Sequence, residues 1–129
     1  MLELAISALV IDIGSQMIYA YTNDPKTPAY SAPVATGSVN KPTPTGLFYI
    51  GSKYENTDLV GKDYRVNLDN VLCLSGPGIQ SDMYCIHPTP YPNVPLSQQA
   101  SRGCVRTSAV TAKWLFDRTS IQTPVYIDP

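Results

Sequence analysis

No run in this sequence approaches the roughly 18–20 consecutive apolar residues that a bilayer-spanning helix needs, which excludes a helical membrane span. Charge is scarce as well: only 15% of residues are Asp, Glu, Lys or Arg, and the formal net charge is −1. The nine Lys and Arg are scattered along the chain and form no basic stripe able to track a phosphate backbone, so nucleic acid is not an expected partner. There is a single histidine, His87, and no CxxC pair. One imidazole with three widely spaced cysteines falls outside the usual zinc-ligand spacings, so no metal site is expected. The opening stretch, Met1 to Ile13, is apolar but carries Glu3 and Asp12 and lacks both a basic start and a small-residue cleavage site. It reads as a strand, not as a signal peptide.

What the sequence has in abundance is turn and strand chemistry. Twelve prolines, eight glycines and nine tyrosines among 129 residues favour a mainly β fold over a helical bundle, and the length fits one domain spanning residues 1–129. Ala8 to Ile13 and Met17 to Tyr21 flank Gly14-Ser15-Gln16 as a hairpin. Tyr30 to Thr36 reads as a further strand ending at Gly37, and Lys41-Pro42-Thr43-Pro44-Thr45-Gly46 as a rigid loop whose prolines fix the backbone and remove donors. Thr43 and Thr45 read there as turn formers. Leu47 to Ile50 resumes as a strand, and Gly51 to Asn70 is polar and turn-rich, with a weaker strand pattern around Tyr64 to Leu68. Val71 to Leu74 and Met83 to Ile86 read as two buried strands, with His87 at the end of the second. Four prolines between Pro88 and Pro95 impose an irregular loop beside that histidine. One short helix begins near Ser108 as N-cap, with Val110 and Trp114 four residues apart on a shared buried face. Pro124 to Ile127 is the last strand.

Three cysteines, Cys73, Cys85 and Cys104, cannot all pair within one chain, so at least one thiol is free. Cys73 and Cys85 sit in apolar runs and read as small buried hydrophobes. Cys104 is different: it lies in Ser101-Arg102-Gly103-Cys104-Val105-Arg106, where Gly103 allows a tight turn, two arginines add positive charge and the helix from Ser108 presents its positive end nearby. All three features are expected to favour a thiolate, and His87 is the one available imidazole base. The backbone N–H groups around Gly103 and Cys104 are candidate oxyanion donors for acyl transfer.

The segment Ser101 to Arg106, preceded by Ile86-His87, resembles the signature of the L,D-transpeptidase catalytic domain family. In that family a histidine is followed, after a loop, by Ser/Thr-His-Gly-Cys-aliphatic-Asn/Arg. The resemblance extends to the opening hairpin, to Val34-Ala35-Thr36-Gly37, to the Pro42-Thr43-Pro44-Thr45-Gly46 loop, and to the closing helix and strand. It implies a β-sandwich or barrel of mixed sheets with one short helix after the cysteine. It also implies a Cys104 nucleophile, His87 as general base and acid, and an oxyanion contact at the Gly103 backbone. Ser101, Arg102, Arg106, Pro88 and Tyr84 would support the site or the substrate. No metal or organic cofactor is implied.

The implied substrate is a peptidoglycan tetrapeptide stem, cleaved between diaminopimelate and D-alanine and passed to an amine or to water, which places the work in the periplasm or cell envelope. Acylation of Cys104 by carbapenems is implied too. The sequence departs from the family in carrying Arg102 where a second histidine is usual, a slightly short loop between His87 and Ser101, and Pro88 where glycine is common. Pro88 keeps the carbonyl that the family uses to orient the imidazole. Two other readings fit the same residues: a secretion-delivered or phage-borne L,D-carboxypeptidase or D-amino-acid exchange enzyme, and a non-catalytic wall-binding module of the same fold.

Overall fold

The computed structural model describes residues 5–61, 63–91 and 93–129, so Met1 to Leu4, the start of the expected opening strand, lie outside the described residues. In chain order the elements are β1 (Ala8–Asp12), β2 (Met17–Tyr21), β3 (Tyr30–Pro33), β4 (Gly46–Val60), β5 (Arg65–Ser75), β6 (Cys85–Pro88), β7 (Val105–Thr107), α1 (Ala109–Arg118) and β8 (Pro124–Asp128). The strands form one mixed sheet in the order β3-β2-β1-β8-β4-β5-β6-β7. Its two ends meet: just past β3, Ala35 exchanges both backbone hydrogen bonds with Arg106 of β7, each 2.9 Å long. This is the mainly β, barrel-like architecture with one short helix that the resemblance implied.

Strand alternation builds the interior. Leu9 and Ile11, Ile18 and Ala20, Phe48 and Ile50, Leu72 and Leu74, and Val125 and Ile127 point inward two residues apart, and Ile86, Val105 and Leu115 join them in one cluster. A second, smaller cluster of Leu68, Val71, Cys73 and Cys85 forms on the other face of β5 and β6, with Cys104 packed against it.

Gly51 to Asn70 is the main departure from the sequence reading. Instead of a turn-rich stretch, β4 runs unbroken to Val60 and pairs antiparallel with β5 down to Val60↔Arg65, with one irregularity between Ile50 and Ser52. Its outer end is a two-stranded ribbon held by polar side chains across the strands. Asn56 donates to Asn67 and Asp69 at 2.8 Å, Asn67 donates to Asp58 at 2.7 Å, and Arg65 pairs with Asp58 at 3.1 Å. Hydrophobic alternation fades where much of the ribbon is solvated, which is why the pattern failed there.

The helix also sits differently from expectation. Ser108 is the N-cap and accepts the Thr111 N–H, but the buried face is Thr111, Ala112 and Leu115, and Val110 is 76% exposed. Trp114 stacks on Tyr30 with ring centroids 4.2 Å apart, while the Tyr30 hydroxyl bonds to that of Thr111 at 2.9 Å. The docking of Thr111 and Trp114 on Tyr30 turns Val110 outward.

Candidate active site

Three neighbouring strands bring the three cysteines into one row. Cys73 of β5 faces Cys85 of β6 in antiparallel register, and Ile86 pairs with Val105 of β7 in parallel, which sets Cys104 beside Cys85. Cys73 and Cys85 are buried, as their apolar surroundings suggested, but they are joined in a disulfide. Cys104 is therefore the free thiol among the described residues, and the Cys85 amide donates to its sulfur at 3.3 Å.

His87 lies in β6, in register with Arg106 of β7, on the face opposite the Ile86 and Val105 side chains of the main core. Its Nδ1 sits 2.7 Å from the Pro88 carbonyl. A carbonyl only accepts, so Nδ1 carries the proton and Nε2 is left with a lone pair. The proline after the histidine thus does not disturb the imidazole, because the orienting group is its carbonyl and not its nitrogen.

The turn before Cys104 is braced from below. Gly103 has φ +121°, and a Cβ there would lie 2.8 Å from the Tyr84 ring, so Tyr84 supports the turn from beneath. The Gly103 N–H donates to Ser101 Oγ at 3.1 Å, and the Ser101 hydroxyl donates to the Cys104 carbonyl. The Gly103 amide is thus occupied, and the Cys104 N–H has no hydrogen-bond partner among the described residues.

Thr43 is a site residue that sequence reasoning passed over as a turn former. It is 3% exposed, accepts the Gly37 N–H at 2.8 Å and donates to the Gly103 carbonyl at 2.7 Å, tying the Pro-rich loop to the turn. Gln16 does the same one step away, bonding Thr36 through Nε2 to Oγ1 at 2.7 Å and Oε1 to the amide at 3.0 Å. Thr43→Val keeps the shape but strands two buried backbone groups. It is expected to lower stability by about 1–3 kcal/mol, read as a fall in the urea midpoint at unchanged m.

Cys104 and His87 both line a narrow pocket of about 80 Å³, whose walls include Tyr64, Tyr91, Arg102 and Arg106. Its hydrophobic rim, Leu59, Val66 and Met83, comes from the β4–β5 ribbon and the turn before β6, which the sequence reading left out of the site. Ser101 and Pro90 also contribute, while Tyr84 stays beneath the turn. Arg102 lies over the Tyr64 ring at 4.5 Å, and Arg106 over Tyr91 at 5.0 Å.

Electrostatics correct the expectation of a preformed thiolate. Burial pushes the Cys104 thiol above its ordinary value, opposed by the Cys85 amide and the Arg106 guanidinium. Burial also holds His87 below the ordinary imidazole value, against the Pro88 carbonyl and with the help of Arg106. Both shifts favour the uncharged forms, a neutral thiol beside a neutral imidazole. Among the described residues, no group of three His, Cys, Asp or Glu side chains is gathered to hold a metal, and no helix is long and apolar enough to cross a membrane.

The whole arrangement, hairpin through closing strand, matches the family model of the L,D-transpeptidase catalytic domain over residues 7–127. The chain belongs to the L,D-transpeptidase family. Solved structures of L,D-transpeptidases share its fold. An enzyme from Mycobacterium smegmatis superposes with a TM-score of 0.78 at 17% identity, covering 95% of this chain and 58% of its own. One from Enterococcus faecium gives 0.78 at 21%, covering 96% and 50%. L,D-transpeptidase 3 from Mycobacterium tuberculosis, in complex with a faropenem-derived adduct, gives 0.78 at 21%, covering 98% and 61%. This L,D-transpeptidase domain therefore spans less than two thirds of the chains it resembles. No curated protein sequence matches it.

Proposed function

We propose that this chain is a cysteine acyltransferase that cleaves the diaminopimelate–D-alanine bond of peptidoglycan tetrapeptide stems and passes the acyl group to an amine or to water. The observation that carries this reading is the free Cys104 thiol sharing a pocket with an imidazole whose Nδ1 is tied to Pro88, leaving Nε2 free to take a proton. Family membership supports the same chemistry.

In the proposed reaction His87 Nε2 removes the Cys104 proton as sulfur bonds to the diaminopimelate carbonyl carbon. The oxyanion is held by backbone N–H groups, of which that of Cys104 is the uncommitted one. The amide C–N bond then breaks and His87 returns the proton to the departing D-alanine amine. In the second half His87 deprotonates the incoming amine or water, which displaces the thiol. An amine acceptor gives crosslinking or exchange, and water gives carboxypeptidase activity. The Cys73–Cys85 disulfide supports work in the periplasm or cell envelope, since such bonds persist in oxidising compartments.

Mass spectrometry of tetrapeptide muropeptides incubated with the protein, with and without an added D-amino acid, tests the reading. Native protein is expected to remove, exchange or crosslink at the terminal D-alanine, and Cys104→Ala to leave every muropeptide unchanged. Unchanged muropeptides with native protein, together with retained binding by Cys104→Ala, would instead establish a non-catalytic wall-binding module. A β-lactam of the carbapenem kind is expected to add its mass to Cys104.

A further inference from the structure

Two arginines face the nucleophile's pocket without any carboxylate to answer them. Arg106 is 8% exposed, yet among the described residues neither it nor Arg102 forms an ion pair, and no Asp or Glu lines the pocket. The two guanidiniums lie close enough for Arg102 to disfavour the charge on Arg106. Each is steered by an aromatic ring instead, Arg102 by Tyr64 and Arg106 by Tyr91. A nearly buried cation beside a like charge is costly unless an anion completes the arrangement. The same two arginines also line an adjoining groove with Tyr91, Val94 and Ala100, so they stand at the junction of two concave surfaces.

We infer that Arg102 and Arg106 form a clamp for a substrate carboxylate, and that this carboxylate is the C-terminal one of the residue that leaves. The inference rests on the acyl-transfer reading and adds to it what selects the donor. Register supplies the geometry. Arg106 is the middle residue of β7 and Cys104 stands just before the strand, so their Cα atoms are about 6–7 Å apart and both side chains line the same pocket. A leaving amino acid carries its carboxylate one residue beyond the carbonyl under attack, an advance of about 3.3–3.6 Å. A charge-assisted hydrogen bond adds about 2.8 Å. The sum is comparable to that backbone spacing. His87, in register with Arg106, is then placed beside the amine that must be protonated. The planar guanidinium also donates to both carboxylate oxygens at once, which an imidazole at position 102 would not do.

The test compares a synthetic stem tetrapeptide ending in free D-alanine with its C-terminal carboxamide. Two readouts are used: kcat/KM with native protein, and calorimetric binding to Cys104→Ala. Native protein is expected to prefer the acid by about 10- to 100-fold in kcat/KM, and Cys104→Ala to bind the acid more tightly by a similar factor. Arg102→Gln and Arg106→Gln are each expected to shrink the preference by acting on the acid alone, with Arg106→Lys retaining part of it. Should Arg106→Gln fail to fold, the exposed Arg102→Gln still decides the matter. Equal turnover of both donors by native protein overturns the clamp and leaves the acyl-transfer reading standing. No turnover of either donor, with acid-selective binding lost in Arg102→Gln, overturns the acyl-transfer reading and leaves the clamp. Equal binding of acid and amide overturns the clamp whatever the turnover.

Discussion

His87→Ala is expected to slow acylation of Cys104 near neutral pH by about 10²–10⁴-fold, the usual contribution of a positioned general base. The size follows from the resting state. A preformed thiolate would make the base dispensable for attack, but burial lifts the thiol and depresses the imidazole, so the proton must move during the reaction. The signs give a pH profile. With His87 held below its unperturbed value of about 6.5, native acylation is complete above that pH and is lost only as pH falls through the lower folded value, where Nε2 becomes protonated. Without the imidazole, acylation is expected to rise steadily as pH climbs towards the raised thiol value, closing the gap with native protein at alkaline pH. Iodoacetamide labelling of Cys104 at about pH 5 separates the two resting states, since only an ion pair keeps a thiolate there. Strong labelling at that pH, lost in His87→Ala, would sink the neutral-pair account.

How much of this was legible beforehand depends on the kind of signal each residue leaves. The hairpin of β1 and β2 was plain because one face is buried, so Leu9, Ile11, Ile18 and Ala20 alternate with half-buried neighbours. The ribbon of β4 and β5 was not, because Asn56, Asp58, Asn67 and Asp69 satisfy one another across strands, and such pairing is invisible until the register is known. Three site walls, Leu59, Tyr64 and Val66, were lost with it. The Cys-Gly turn and the lone histidine were legible from residue type alone. The cysteine row was not: Cys73 and Cys85 lie 12 residues apart, and only the strand order β5-β6-β7 brings them to Cys104. The direction of the thiol's shift depended on burial, and positive neighbours alone pointed the wrong way.

Gly37→Ala is expected to destabilise the fold by about 3 kcal/mol or more, at the upper end of what forced overpacking costs. A Cβ at this position would lie 2.1 Å from the Lys41 carbonyl oxygen, 2.7 Å from the Thr43 nitrogen and 2.9 Å from the Pro42 carbonyl carbon. All three are backbone atoms, so no side-chain rotation makes room, and Pro42 and Pro44 stiffen the loop that would have to move. At roughly 3–5 °C per kcal/mol for a domain of this size, the thermal midpoint is expected to fall by about 10 °C or more. The damage also reaches the nucleophile by a traceable route. Gly37 bridges Ser101 and donates to Thr43, whose hydroxyl holds the Gly103 carbonyl, so displacing the loop loosens both sides of the turn that carries Cys104. Carbapenem acylation measured well below the midpoint should therefore drop further than the small unfolded fraction explains. A variant that melts with native protein would show that the loop yields freely, and the bracing assigned to Thr43 would fall with it.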